Sequence, residues 1–159
     1  MYQYKCKINK VLDGDTVDID LDLGFNIVLA NQRVRMAGID TPESRTTNKE
    51  EKVRGLLSKK KLAEKLPTDT WQIIETQKSD NSDDKFGRIL GVFILEDGTK
   101  VNEWLIQNNY AVSYNGENKE LTQAGHQRNK QILIERGELS KFVYFLAGVD
   151  ITGQEINKF

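Results

Sequence analysis

The beginning of the chain alternates between hydrophobic and polar positions. Tyr2, Tyr4, Cys6 and Ile8 share one face of the first segment, and Val17, Ile19, Leu21 and Leu23 lie opposite Asp18, Asp20 and Asp22 in the second. Successive strand side chains point to opposite faces, so this period of two predicts two strands with one face in a core. Asp13-Gly14 is typical of the tight turn that would join them, and Gly24 would end the second strand.

A third strand is predicted over residues 26–37. Its apolar residues Val34 and Met36 would face the core. Arg33 and Arg35 would then share the opposite face, because their positions alternate with the apolar ones.

A helix is predicted to follow this strand. Thr47-Asn48-Lys49-Glu50 fits a capping box in which Thr47 is the N-cap and Glu50 reaches back to it. The helix should run to about Leu66, because Pro67 cannot continue it.

The second half of the chain predicts two more strands and two more helices. A fourth strand is expected around Trp71 to Ile74 and a fifth over residues 88–95. A short helix is expected at 101–108 and a last helix at about 119–136, closed by Gly137.

Together these elements predict an α+β, mainly β, fold. Five short strands with helices after the third and the fifth favour a Greek-key barrel of the OB type with about three helices. Periodicity alone does not distinguish it from other α+β folds. We expect one domain over residues 1–137 and a tail over 138–159 that packs on this domain or on a partner subunit, which leaves self-association through the tail open. The apolar residues of the tail include Phe142, Val143, Phe145 and Leu146.

Composition restricts the class of protein. A length of 159 residues fits one compact domain with its own core. The single cysteine, Cys6, cannot form an internal disulfide and is expected in the core. The N-terminus has no apolar signal core, and the longest apolar run, residues 142–149, is much too short to span a bilayer. We therefore expect a cytoplasmic protein without a membrane partner, in the cytoplasm of the host cell if a virus encodes it.

The charge balance bears on the kind of ligand. A net charge of −1 and a pI of about 5.9 are unusual for a protein that binds nucleic acid. The charges are segregated, however, because residues 49–65 carry seven Lys and Arg against three Glu. The local field steers a polyanion more than the net charge does. The basic run fits either a solvated helix face or part of a nucleic-acid surface.

The segment 33–43, R-V-R-M-A-G-I-D-T-P-E, brings arginines and oxygen ligands together. Hard cations such as Ca²⁺ or Mg²⁺ prefer carboxylate and carbonyl oxygens. Asp15 follows a tight turn and Asp40 follows a glycine bend, so both could point into one cleft, and Thr41 could add its carbonyl. A lone Asp-Gly pair is usually only a turn, so this metal site requires that the separate segments meet.

Other metal sites do not fit the residue spacing. Runs that start at Asp18 or Asp80 lack the glycine and the acid that an EF-hand loop needs at its sixth and twelfth positions. Zinc is disfavoured by the presence of one cysteine and one histidine. That histidine, His126, is expected on the surface of the last helix.

Phosphodiester hydrolysis needs an activated water and a neutralised, correctly placed phosphate. Without a second histidine, the general base would be a carboxylate, and Glu43 follows the stiff Thr41-Pro42 segment. Arg35 and Arg88 could each donate paired hydrogen bonds to phosphate oxygens. Arg88 could instead form a salt bridge with Asp83 or Asp84.

Four separated motifs resemble the staphylococcal (micrococcal) nuclease family. They are V-L-D-G-D-T-V at 11–17, V-R-M-A-G-I-D-T-P-E at 34–43, D-K-F-G-R at 84–88 and D-G-T-K-V-N-E-W-L-I at 97–106. The resemblance covers roughly residues 5–137. It implies a five-stranded OB barrel with three helices. It also implies Ca²⁺-dependent cleavage of DNA and RNA with little sequence preference, leaving 3′-phosphate ends.

The resemblance also implies a role for individual residues. By position, Asp15 and Asp40 match the calcium carboxylates, Thr41 the carbonyl ligand, Glu43 the general base, Arg35 and Arg88 the arginines on the scissile phosphate, and Lys85 and Tyr114 substrate contacts. Phe86 stands where the family often has tyrosine, so a hydroxyl for a terminal phosphate is missing. The leading hypothesis is a metal-dependent nuclease. The alternative is a non-catalytic OB-fold module that binds nucleic acid or protein.

Overall fold

A computed structural model describes residues 2–77, 87–116, 118–140, 143–144, 147–150, 152 and 154–156 of the chain. Several residues singled out above lie outside these ranges: Asp80, Asp83, Asp84, Lys85, Phe86, Phe142, Phe145 and Leu146.

Within the described residues, five strands form a closed barrel of the OB type, as the sequence predicts. They are β1 (Tyr2–Asp13), β2 (Thr16–Gly24), β3 (Ile27–Met36), β5 (Trp71–Gln77) and β6 (Ile89–Ile94). The strand order around the barrel is β1-β2-β3-β6-β5. Among the described strands, β3 and β6 form the one parallel pair, and β3 is the strand that carries Arg33 and Arg35.

A second, two-stranded sheet and three helices complete the described part of the chain. The small sheet pairs β4 (Ile39–Asp40) with β7 (Val112–Ser113). The helices are α1 (Lys49–Lys65), α2 (Val101–Gln107) and α3 (Lys119–Glu135), close to their predicted ranges. None of them is long and apolar enough to cross a membrane.

The barrel interior follows the alternation of the sequence. Val17 and Ile19 of β2 are fully buried, and so are Val34 and Met36 within 1% exposure. Cys6 is a core residue, as expected, and burial raises the pKa of its thiol to about 12. Leu23, predicted to face inward, is exposed, because the β2–β3 hairpin extends beyond the part of the barrel that the core fills.

The start of α1 differs from the predicted capping box. Asn48, not Thr47, is the N-cap, and its side chain accepts a hydrogen bond from the Glu51 N–H over 3.1 Å. Glu50 does not reach back. It is buried and accepts two hydrogen bonds, of 2.7 and 3.0 Å, from the guanidinium of Arg54. A buried carboxylate is stabilised far more by a paired guanidinium than by one backbone amide. This explains why Glu50 binds Arg54 and not the N-cap backbone.

Residues beyond Gly137 contribute to the core. Leu139, Tyr144 and Val149 are each at most 1% exposed. The Tyr144 hydroxyl donates a hydrogen bond of 3.3 Å to Glu50, so the tail contacts the first turn of α1.

Candidate active site

The first component of the site is the turn between β1 and β2. The Asp15 carbonyl accepts a hydrogen bond of 2.9 Å from the Met36 N–H, which ties the turn to the end of β3. The turn also lies tightly against two other elements, because a Cβ on Gly14 would be 2.8 Å from Thr41 Oγ1 and 2.9 Å from Ser58 Cβ. Glycine is required for this approach, and the D-G-D sequence thereby positions Asp15.

The Asp15 carboxylate is nearly buried, with 7% of the residue exposed. It accepts a hydrogen bond of 3.3 Å from the backbone N–H of Thr41. Burial raises the pKa of Asp15, the charge of Arg35 acts to lower it, and the charges of Asp13 and Asp40 act to raise it further. The site therefore concentrates negative charge in a place with little water.

Arg35 lies between the two predicted metal carboxylates. Its Nη1 is 3.4 Å from Asp15 Oδ2 and its Nη2 is 3.7 Å from Asp40 Oδ1. The guanidinium also donates hydrogen bonds to the carbonyls of Met36 and Ile39, over 3.1 and 2.9 Å. A guanidinium has five N–H donors, so these two bonds fix its orientation and leave donors for a ligand.

A glycine bend returns the chain to Arg35. Gly38 has a φ of +76°, a conformation that side chains with a Cβ rarely adopt, and β4 follows it immediately. In the small sheet Asp40 pairs with Val112. The next residue after this sheet, Tyr114, is half-buried and donates its backbone N–H to the Gly38 carbonyl over 2.8 Å. The predicted substrate contact Tyr114 therefore lies beside the segment that carries Asp40.

Glu43 lies at the rim of the same group of acids, where it remains accessible to solvent. Its backbone rests directly on α1, because a Cβ on Gly55 would be only 2.4 Å from the carbonyl carbon and oxygen of Glu43. Its backbone N–H also donates to Glu51 of the same helix over 3.4 Å. The first helix thus supports the residue that the sequence predicts as general base.

The environment of Glu43 raises the pKa of its carboxyl to about 7. Partial burial is the largest cause, followed by the charges of Asp13 and Asp15, a hydrogen bond that the protonated form makes with Asp13, and the charge of Asp40. A carboxyl with such a pKa exchanges protons readily near neutral pH, as a general base must.

His126 is not a surface residue, so that prediction is wrong. It is 3% exposed, and its Nε2 is 2.8 Å from Asp40 Oδ2. The helical pattern of α3 did not indicate this contact, because the two residues are 86 positions apart and are brought together only by the packing of α3 on the small sheet.

Arg88 lies just before β6 and is half-buried. In the parallel pairing of β3 with β6, Ile89 is opposite Val34 and Leu90 is opposite Arg35. The barrel therefore places Arg88 next to the strand that carries Arg35. Lys85 lies outside the described residues.

The number and type of donor atoms in the site decide whether it can bind a divalent cation. Among the described residues, no three His, Cys, Asp or Glu side chains form a ready metal site. The set predicted from the sequence is different, because it combines only two carboxylates, Asp15 and Asp40, with a backbone carbonyl. These hard oxygen atoms suit Ca²⁺ or Mg²⁺. In addition, the buried Thr41 Oγ1 has no hydrogen-bond partner within the described part of the chain. The donor set thus fits a hard cation with additional water ligands.

Two residues of the site were given no role from the sequence. The sequence predicts Asp13 only as part of a turn, although the D-G-D-T motif carries this second acid two residues before Asp15. Gly55 carries no sequence signal of its own, since an isolated glycine in a helical pattern only lowers the helix propensity.

An OB-type barrel that gathers aspartates, a glutamate and an arginine at one end has the residue types that metal-assisted phosphodiester hydrolysis uses. The comparison with known families makes the class of protein specific. Residues 33–134, more than half of the chain, match the model of the staphylococcal nuclease homologue. The chain therefore belongs to the staphylococcal nuclease family. The turn with Asp13 and Asp15 precedes the matched range.

Two curated proteins are similar to this chain. Endonuclease YhcR of Bacillus subtilis (strain 168) is 30% identical over 115 residues, which are 70% of this chain and 9% of YhcR. Succinoglycan biosynthesis protein ExoI of Rhizobium meliloti (strain 1021) is 29% identical over 120 residues, which are 76% of this chain and 58% of ExoI. The chain thus spans less than two thirds of the length of either relative.

Proposed function

We propose that this protein is a Ca²⁺-dependent nuclease that hydrolyses phosphodiester bonds of DNA, RNA or both with low sequence specificity and leaves 3′-phosphate ends. The observation that carries the proposal is the meeting of Asp15, Arg35, Asp40 and Glu43 at one end of the barrel. Membership of the family and the name of the relative YhcR, an endonuclease, support it.

The cation would be held by the carboxylates of Asp15 and Asp40 and by the carbonyl of Thr41. When bound there, a hard divalent cation would neutralise charge on the phosphate and help to activate water. Ca²⁺ is preferred by analogy with the family, and another hard divalent cation is the alternative. Burial raises the pKa of Asp15, and the charges of Asp13 and Asp40 act in the same direction, so a positive charge bound beside these acids would be favourable.

Glu43 is suited to accept the proton of the attacking water. The water oxygen forms a bond to phosphorus, its proton passes to the Glu43 carboxylate, and the bond from phosphorus to the 5′ oxygen breaks. The leaving oxygen takes up a proton, which gives a 5′-hydroxyl and a 3′-phosphate. Partial burial and the neighbouring acids Asp13, Asp15 and Asp40 raise the pKa of Glu43, which makes its carboxylate more basic and better able to take this proton.

Arg35 and Arg88 would stabilise the phosphate as it gains charge. Paired hydrogen bonds from a guanidinium match the geometry of phosphate oxygens, which lysine cannot reproduce. Arg35 is already oriented by the carbonyls of Met36 and Ile39. Removal of one such donor typically lowers turnover by about 10² to 10³.

The test uses purified protein with plasmid DNA, single-stranded DNA and RNA, in Ca²⁺ and in chelator. We expect Ca²⁺-dependent cleavage whose products carry 3′-phosphate, shown by failure of polymerase extension until a phosphatase is added. Glu43→Gln should lower the rate by orders of magnitude, whereas Glu103→Gln, an exposed acid on α2, should not. Intact substrate together with a gel shift would support the non-catalytic binding module instead.

A further inference from the structure

We propose that His126 is a positioning residue that fixes the carboxylate of Asp40 for cation binding. This inference rests on the proposed function and adds to it a residue from α3, the last of the three helices named above. Without this contact, the partners that the described residues give Asp40 would be the backbone of a two-residue strand and Arg35.

The contact between the two side chains is short and buried. His126 Nε2 is 2.8 Å from Asp40 Oδ2, and the histidine is 3% exposed. An ionised carboxylate only accepts hydrogen bonds, so the Nε2–H donates. His126 Nδ1 is buried without a hydrogen-bond partner among the described residues. The contact with Asp40 therefore uses Nε2, and Nε2 is the ring nitrogen that carries the donated proton.

Close packing of α3 on the small sheet, at Gly125, brings His126 within hydrogen-bond distance of Asp40. The preceding residue, Gly125, faces β7, where an added Cβ would be 2.9 Å from Val112 Cγ1. Val112 is the strand partner of Asp40. The lack of a side chain at 125 therefore lets α3 rest on the small sheet at the residue that pairs with Asp40, and the next residue of the helix reaches the carboxylate.

His126 and Arg35 together leave Asp40 little freedom. One carboxylate oxygen, Oδ2, accepts from His126, and the other, Oδ1, is 3.7 Å from Arg35 Nη2. A ligand that already has its bound orientation loses less entropy when it binds an ion. Hydrogen-bond partners of metal ligands typically contribute about 10- to 100-fold to metal affinity or activity.

The main test compares His126→Leu with His126→Gln. Leucine fills similar volume without a donor, whereas glutamine keeps an N–H donor near the place of Nε2. Asn129→Ala is the matched control, because Asn129 lies on the same helix and its hydrogen bonds among the described residues are to the Ala111 carbonyl and to Asn109 rather than to Asp40. The Ca²⁺ dissociation constant is measured by titration calorimetry without nucleic acid, and the Ca²⁺ dependence of cleavage is measured in parallel.

We expect His126→Leu to weaken Ca²⁺ binding by about 10-fold or more, and His126→Gln to recover most of this loss. Asn129→Ala should lower thermal stability but leave the Ca²⁺ dissociation constant within about 2-fold. Equal Ca²⁺ affinity of His126→Leu and the unchanged protein would overturn the inference while leaving the proposed function intact. Equal weakening by Asn129→Ala would also overturn it, since the effect would then be general to α3. A parent protein that neither binds Ca²⁺ nor cleaves would refute both.

Two further measurements do not depend on how well the leucine variant folds. His126 is the only histidine of the chain, so its imidazole nitrogens can be assigned directly by NMR. A proton on Nε2 is expected, and a ring that is protonated on Nδ1 alone would contradict the contact. Gly125→Ala should push α3 away from Val112 and weaken Ca²⁺ binding, and adding Val112→Ala should restore it. An unchanged Ca²⁺ affinity of Gly125→Ala would contradict the role assigned to the packing of Gly125 on Val112.

Discussion

Gly55→Ala is a sharp test of how the first helix supports the site. The substitution adds one methyl group on the buried side of α1, where an ideal Cβ would be 2.4 Å from the carbonyl carbon and oxygen of Glu43 and 2.5 Å from the Ser44 nitrogen. Ordinary contacts begin at 3.4 Å, so the backbone of residues 43 and 44 must move by about 1 Å. The atoms in the way are backbone atoms of Glu43 and Ser44, and the added methyl group is fixed to the backbone of α1. No side-chain rotation can therefore relieve the clash.

The size of the expected effect follows from this displacement. A misplacement of about 1 Å in a catalytic group can cost about 10²-fold in rate, so kcat/KM on DNA should fall by about that factor. Alanine normally stabilises a helix interior by about 1 kcal/mol relative to glycine, whereas overpacking costs about 1–3 kcal/mol. The free energy of unfolding should therefore be unchanged or fall by up to about 2 kcal/mol, and the protein should remain folded.

The assay is steady-state cleavage of a fluorescent single-stranded DNA in Ca²⁺, together with urea denaturation of the same preparation. Lys60→Ala, an exposed position of α1, is the matched control and should behave like the parent. Cleavage within about 3-fold of the parent by a folded Gly55→Ala protein would refute the role of this contact. A gain of about 1 kcal/mol in stability would also refute it, because helix propensity would then act without the clash.

Two further predictions concern stability and its dependence on pH. Burial acts to raise the pKa of Glu50, but hydrogen bonds and charge from Arg54 and Lys130 outweigh it and hold the pKa below the ordinary value of 4.5. The carboxylate therefore stabilises the fold above about pH 4.5, and this contribution is lost as the pH falls through the lower folded pKa. In urea denaturation Glu50→Gln should cost about 3–5 kcal/mol at neutral pH and less at about pH 3, and a difference that does not shrink would contradict this account. Asn102→Ala should lower the free energy of unfolding by about 2 kcal/mol or more in the same assay. The buried Asn102 side chain donates to the carbonyls of Ala37 and Gly91 and accepts from the Phe93 N–H. A loss under about 0.5 kcal/mol would show that other groups replace these bonds.

The sequence could predict the parts of the candidate site that lie within short local motifs. The D-G-D-T turn and the R-M-A-G-I-D-T-P-E segment each identified a residue that the barrel then brought to one place: Asp15 and Asp40 both lie within 4 Å of Arg35. The expectation failed for His126, whose neighbours in the helix do not indicate burial. The capping prediction failed at Glu50, because this side chain binds Arg54 of its own helix, Lys130 of α3 and Tyr144 of the tail.

The sequence by itself determined the strands, the helices and the class of chemistry, because these depend on alternation, on glycines in turns and on the types of residue near them. Tertiary structure alone decided which atoms meet. His126 Nε2 contacts Asp40, the backbone of Glu43 packs closely against Gly55, and the Tyr144 hydroxyl of the tail contacts Glu50. The physical reason is that these contacts join residues remote in the chain, and their distances follow from how closely whole elements pack rather than from any local pattern.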